Sequence, residues 1–200
     1  MGRAVQKGEI LKKNMKQEQN AADMRLLFEL DTKDYVTGGT VTRRPSVRGI
    51  IVRDGQLVMV HSLKYDYYKF PGGGIEADET HEQALIREVR EETGMTVLPG
   101  SIRPFGLVRR IQKGHCEDIF LQENFYYFCA VSDAAGVQAL DDYEADEQFT
   151  PESVSAGAAR ETNLTHPHGS KAEDPQFPVM LDRENRVLTL LQTEYPAVFA

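Results

Sequence analysis

Apolar residues gather in short β-branched runs and, in two places, fall into helical spacing. Leu26–Leu30 reads as a short strand. Val47–Val52 and Leu57–His61 are apolar runs on either side of Asp54-Gly55. That dipeptide predicts a tight hairpin, because glycine takes positive φ without steric cost. Ile102–Ile111 and Phe125–Val131 read as further strands, separated by the charged loop Lys113–Asp118. After Thr80 the period changes, and Leu85, Ile86 and Val89 mark the buried side of a helix. Thr80 followed by Gln83 forms a capping box, and Gly94 stands where a left-handed residue ends a helix. Thr37–Thr40 and Pro99-Gly100 read as turns, Ser153–Asn163 as a short helix and Leu164–Pro178 as an exposed loop. Val187, Leu188, Leu190 and Leu191 give Arg183–Glu194 the pattern of a closing helix, stopped by Pro196. Strands with interleaved helices predict an α/β fold in one compact domain over residues 24–200. Residues 1–23 form a polar N-terminal extension rich in Lys, Gln and Asn, read as a frayed helix or a disordered arm.

Composition narrows the classes of function. A formal net charge of -8 argues against a broad nucleic-acid surface, which needs clustered Lys and Arg. It leaves a nucleotide substrate open, since a metal ion screens phosphates locally. Cys116 and Cys129 read as two reduced thiols of a cytoplasmic protein rather than a disulfide, and their spacing does not suit zinc. No apolar run reaches the roughly 20 residues that a membrane span needs. The lysines near the N-terminus precede no apolar segment, so no signal peptide is expected.

The candidate chemistry lies between Gly72 and Met95. Gly72, Gly73 and Gly74 follow one another, which predicts a loop whose backbone can approach a ligand closely. Glu88, Glu91 and Glu92 then fall three and four residues apart on the predicted helix, hence on one face. Three neighbouring carboxylates repel unless a cation sits among them, and a hard divalent ion suits oxygen ligands.

Written with its spacing, the stretch is Gly73, five residues, Glu79, seven residues, Arg87-Glu88-Val89, one residue, Glu91-Glu92, one residue, Gly94-Met95. This resembles the Nudix box at all nine of its specified positions. The resemblance, over roughly Met24 to Glu194, implies an α/β/α sandwich with a mixed β-sheet between helices. It implies hydrolysis of a diphosphate linkage in a nucleoside diphosphate joined to another moiety, assisted by Mg²⁺ or Mn²⁺. By position in the motif, Glu88, Glu91 and Glu92 are the metal ligands, one of them doubling as general base. Gly73 offers its carbonyl, and Gly72 and Gly74 shape the loop. Arg87 precedes Glu91 by four residues and is expected to pair with it, a positioning role. Glu79 either reaches the metal through water or stabilises the helix N-terminus.

Family members often add a distal acid. Glu147 and Glu144 in the acidic connector Asp141–Glu147 are the candidates here, with Glu117, Asp118 and Glu123 as rivals. Arg48, and less so Arg43 and Arg44, are candidates for a substrate phosphate. Tyr68, with Tyr65 and Tyr67, is a candidate for stacking on a base, against packing at a strand end. His166 and His168 read as surface residues. The partner is thus a small nucleotide diphosphate derivative, with a homodimer possible and the choice of substrate left open. The rival class is a catalytically weak Nudix-fold module that senses a nucleotide.

Overall fold

The computed structural model describes residues 24–132 and 136–199. The expected N-terminal extension lies outside the described residues. The chain lays down strands β1 (Leu26–Asp31), β2 (Val41–Arg43), β3 (Ser46–Arg53), β4 (Gln56–Ser62) and β5 (Tyr67–Lys69), then helix α1 (His81–Thr93). Strands β6 (Arg103–Gln112) and β7 (Ile119–Phe128) follow, then α2 (Asp142–Asp146), β8 (Phe149–Val154), α3 (Ala156–Thr165), α4 (Phe177–Glu194) and α5 (Pro196–Phe199).

The strands form one mixed sheet in the order β1-β6-β7-β3-β4-β5, with β2 also paired to β7 and β8 to β4. The β3–β4 hairpin is antiparallel, whereas β3 runs parallel to β7. At its tip Asp54 and Gly55 both take positive φ, 50° and 75°, as a two-residue hairpin turn with strand-matching twist requires.

Side chains alternate across each strand, so the sheet buries both faces. Val47, Ile51 and Val58 meet Ala84, Leu85 and Val89 of α1. Ile50, Leu57 and Met59 meet Val187, Leu188 and Leu191 of α4 on the other side. Gly49 lets α1 settle directly on β3, since a Cβ there would stand 3.2 Å from Val89 Cγ2. The expected α/β/α layering is the one observed.

Several boundaries differ from expectation. Residues Phe149–Val154 are a strand paired with β4, and the helix starts only at Ala156, capped by Ser155. The expected loop Leu164–Pro178 holds a short 3₁₀ turn at Gly169–Glu173, and His168 and Phe177 within it are buried. The closing helix begins six residues earlier than expected, with Phe177 and Leu181 packed on Tyr67 and Phe149. Tertiary packing supplied these turns, where the sequence shows only Pro, His and Gly.

Candidate active site

The glycine loop is laced to β3 by its backbone. Gly49 N–H donates to Pro71 O at 2.8 Å, and Val47 N–H donates to Gly73 O at 3.0 Å. Arg48 Nη1 donates to Gly72 O. Gly72 has φ of 137°, and a Cβ there would lie 2.1 Å from Val47 O. Only glycine meets both conditions. Gly73 faces the helix instead: a Cβ on it would stand 2.3 Å from Glu88 Oε2. The carboxylate of Glu88 thus sits in the space that a side chain at Gly73 would fill.

Helix α1 carries the acids. Its capping box is formed, with Thr80 and Gln83 bonding each other's backbone N–H groups, and Gly94 ends it at φ of 70°. One guanidinium organises three carboxylates. Arg87 donates to Glu79 through Nε and Nη2, each at 2.7 Å, to Glu88 at 2.7 Å and to Glu91 at 3.0 Å. Nη2 also reaches Gly74 O at 3.0 Å, tying helix to loop. Glu79 is held below the ordinary carboxylate range by its bonds from Arg87. This favours a positioning role for Glu79. Removing the fork with Arg87→Ala is expected to cost about 2–3 kcal/mol of stability and to slow turnover about 10–100-fold. Arg87→Lys should recover little of either, because an ammonium cannot match a planar, multi-pronged donor. Urea midpoints and initial rates on the two variants check this.

Glu92 differs from its neighbours. It points inward, 1% exposed. Lys69 Nζ donates to it at 2.5 Å and Gly72 N–H at 2.8 Å. Burial outweighs the attraction of Lys69 and lifts its carboxyl to about 7. Burial likewise raises Glu88. A carboxyl raised in the folded chain holds its proton more tightly there than when unfolded. Its stabilising contribution is complete below the ordinary value of 4.5 and is lost as pH climbs through about 7. For Glu92 alone the loss is of order 3 kcal/mol. The metal-free protein is therefore expected to lose stability from pH 5 to 8, with a visibly shallower slope in Glu92→Gln. Equal slopes in denaturant titrations across that range would refute the assignment.

The remaining predicted residues separate into those near this centre and those occupied elsewhere. Glu147 is 4% exposed and accepts from Tyr67 Oη and Lys171 Nζ, both at 2.7 Å. Glu144 caps α2 through Asp141 N–H. Asp118 fastens the Thr37–Thr40 turn by two bonds from Thr40, Glu123 pairs with Arg109, and Glu117 accepts from Cys116 N–H. Arg44 lies against the loop, within 3.6 Å of a Cβ built on Gly74, while Arg43 is exposed on β2.

Tyr68 stands apart from a substrate-stacking role. Its ring stacks on His61 with centroids 4.2 Å apart, and its hydroxyl donates to Glu152 at 2.8 Å. Alternation along β5 sends Tyr67 and Lys69 to the opposite side, where they line a cavity of about 190 Å³ with Arg48 and Glu147. His168 packs inside, bonded to Tyr65 O, and His166 pairs with Asp66. Both cysteines are free. Arg110, Lys171 and Arg183, which also line the cavity, were missed in the sequence reading. Parity held a signal for one of them: Arg110 shares its face of β6 with Val108, as Arg48 shares its face of β3 with Ile50.

The donors gathered at the loop and helix are all oxygen, which suits a hard divalent cation in charge and kind. The Glu88 carboxylate seated on Gly73 fits that use. Among the described residues, however, no three acidic, His or Cys side chains converge as a ready set of ligands. Arg87 holds Glu88 and Glu91, and Lys69 holds Glu92, so a cation has to share or displace these partners.

Known proteins bear on this arrangement. The RNA pyrophosphohydrolase of Xanthomonas campestris pv. campestris is 36% identical over 85 residues, covering 36% of this chain and 42% of that protein. That of Halorhodospira halophila is 44% identical over 69 residues, covering 34% and 36%. The chain thus spans less than half the length of these relatives. A solved NUDIX hydrolase from Nitrosomonas europaea superposes with a TM-score of 0.50 at 19% identity, over 73% of this chain and 90% of that one, a likeness of fold. Among the described residues no helix is long and apolar enough to cross a membrane. The NUDIX domain model matches residues 42–168, well over half of the 200 residues and including the whole glycine loop and acidic helix, and the chain accordingly belongs to the Nudix family.

Proposed function

We propose that this chain is a divalent-cation-dependent hydrolase that cleaves the diphosphate linkage of a nucleoside diphosphate joined to another moiety. The observation that carries the reading is the acidic face of α1 locked against the Gly72–Gly74 loop by Arg87. Glu88, Glu91 and Glu92 would hold Mg²⁺ or Mn²⁺, with the Gly73 carbonyl, which keeps a second lone pair beside its bond from Val47 N–H. Such an ion neutralises the phosphoryl oxygens as charge shifts in the displacement. The protein's own part is positioning. Arg87 sets the spacing of the carboxylates. Arg48 fixes the Gly72 carbonyl and stands beside the acids as a cation for a phosphoryl oxygen. Glu88, raised by burial and close to the loop, is suited to take the proton from the attacking water.

The matched relatives are RNA pyrophosphohydrolases, so RNA 5′ ends join nucleotide sugars, dinucleoside polyphosphates and nucleoside triphosphates as substrates to be tested. A panel of these with Mg²⁺ or Mn²⁺, read by product identification, is the test. Folded protein that yields no nucleotide, phosphate or pyrophosphate across the panel sinks the proposal. One observation favours the rival reading of a nucleotide sensor: every acid of the motif already has a cationic side-chain partner. Tight ligand binding without turnover would decide for it.

A further inference from the structure

The α4-facing side of the sheet is apolar at Ile50, Val108 and Tyr126, and turns cationic at the other end of the same strands. There Arg48, Lys69, Arg110, Lys171 and Arg183 surround one cavity of about 190 Å³ in a chain whose formal net charge is -8. Only Glu147 and Asp174 among the lining residues are acidic. Lys69, Lys171 and Arg183 have carboxylate partners in Glu92, Glu147 and Glu184. Arg48 and Arg110 form no ion pair among the described residues, although Asp174 acts on Arg110, and Arg48 on Glu88 and Glu92, at longer range. Arg110 is 4% exposed and is met by two neutral amides, Gln112 at 2.6 Å and Gln176 at 3.2 Å. Burial and the nearby Arg183 push its pKa down to about 9, against the opposing pull of Asp174. Arg48 is 8% exposed, and its Nε is buried without a hydrogen-bond partner.

A buried guanidinium without a counter-ion costs several kcal/mol, and so does an orphaned donor in lesser measure. Arg110 stands over the Phe120 ring at 5.7 Å from its centroid, and neither its guanidinium nor that of Arg48 is neutralised by an ion pair among the described residues. With Lys69, Lys171 and Arg183 they give the cavity the charge and the donors that suit an anion. The fork of a guanidinium matches phosphate oxygens in particular. The volume equals that of about six waters, enough for a phosphoryl group with some solvent and below the roughly 300 Å³ at which pockets begin to hold whole drug-sized ligands. Lys69 belongs to both places, since its ammonium bonds Glu92 and the residue lines the cavity. The two sites are therefore adjacent along one substrate.

We propose that this cavity binds a phosphoryl group which the substrate carries in addition to its scissile diphosphate, with Arg110 and Arg48 as its principal donors. The inference rests on the hydrolase reading for the word substrate, and on the cavity alone for the phosphate. It selects, among nucleoside diphosphate derivatives, those bearing a further phosphate monoester over those whose second half is uncharged.

Two measurements test it separately. In the first, inorganic phosphate is titrated into the full chain without divalent cation, against chloride of equal ionic strength. Phosphate should raise the Tm of the wild type by several degrees, as a ligand of the folded state must. Arg110→Met should fold, since it removes a buried charge that forms no ion pair among the described residues, and should lose that rise. If it does not fold, Lys171→Gln at the part-exposed edge carries the same test. No phosphate-specific rise in the wild type, or a full rise in the variant, overturns the proposal whatever the enzyme's activity. In the second, kcat/KM is compared on matched pairs that differ by one phosphate monoester, NADPH with NADH and coenzyme A with its dephospho form. A preference of about 10–100-fold for the phosphorylated member, shrinking towards unity in Arg110→Met, is expected from charge-assisted hydrogen bonds. Turnover without preference overturns the proposal. Absence of turnover on every compound counts against the hydrolase reading, and the phosphate titration then decides the cavity.

Discussion

Glu92→Gln is expected to lower kcat by at least about a thousandfold at saturating divalent cation, with circular dichroism unchanged. The loss should exceed the 10–100-fold typical of an outer-shell partner, because the carboxylate itself is proposed to meet the ion. Gln keeps the volume and an oxygen that can accept from Gly72 N–H, so the loop retains its anchor. What disappears is the charge. Glu92 is the most buried of the three acids, and among the described residues its only charged hydrogen-bond partner is Lys69. An ion that displaces Lys69 has the strongest electrostatic claim there, since a poorly solvated carboxylate gains most from a dication. Glu91, whose side chain is 38% exposed, is expected to lose less when changed to Gln. Initial rates over a Mg²⁺ titration measure both. A Glu92→Gln enzyme within tenfold of wild type would remove Glu92 from the proposed ligand set.

The local devices of this platform were legible in the sequence because each has a short-range cause. Thr80 with Gln83, Gly94 and the Asp54-Gly55 turn act within a few residues, and all three form as expected. The four-residue step from Arg87 to Glu91 likewise predicted an ion pair that is present. Helical spacing also predicted that Glu88, Glu91 and Glu92 share a face, but spacing says nothing of depth. Glu92 is buried and Glu91 is not, because the partner of Glu92 comes from Lys69, 23 residues away on β5. The same limit hid the cationic cavity. Arg48, Arg110, Lys171 and Arg183 lie on four separate segments, and the pairing of β3, β7 and β6 with α4 brings them together. Tyr67 and Tyr68 show the scale of the difficulty. One residue of register decides which of two adjacent tyrosines lines the cavity and which stacks on His61.

Gly72→Ala is expected to be the most disruptive single change in the loop, costing about 4 kcal/mol and lowering Tm by roughly 10 °C. Two penalties coincide at this position. Its φ of 137° belongs to a region that L side chains rarely adopt, a strain of order 1–3 kcal/mol. The added Cβ would also lie 2.1 Å from Val47 O and 3.0 Å from Arg48 Cα, which are backbone atoms of a central strand. They cannot move without breaking the pairing of Val47 and Arg48 with Phe125 and Tyr126 of β7. The loop must move instead, and Arg48 Nη1, Glu92 and the seat of Glu88 on Gly73 all depend on it. Activity should therefore fall more than the remaining folded fraction accounts for. Two other glycines separate the causes. Gly38→Ala carries a positive φ of 82° with open space around it, and is expected to cost about 1 kcal/mol. Gly100→Ala has neither problem and is expected to be neutral. Thermal melts and rates on the three variants decide the matter. If Gly72→Ala melts no lower than Gly38→Ala, the close approach of the loop to β3 is wrong, and with it the placement of Arg48 between the proposed catalytic acids and the cationic cavity.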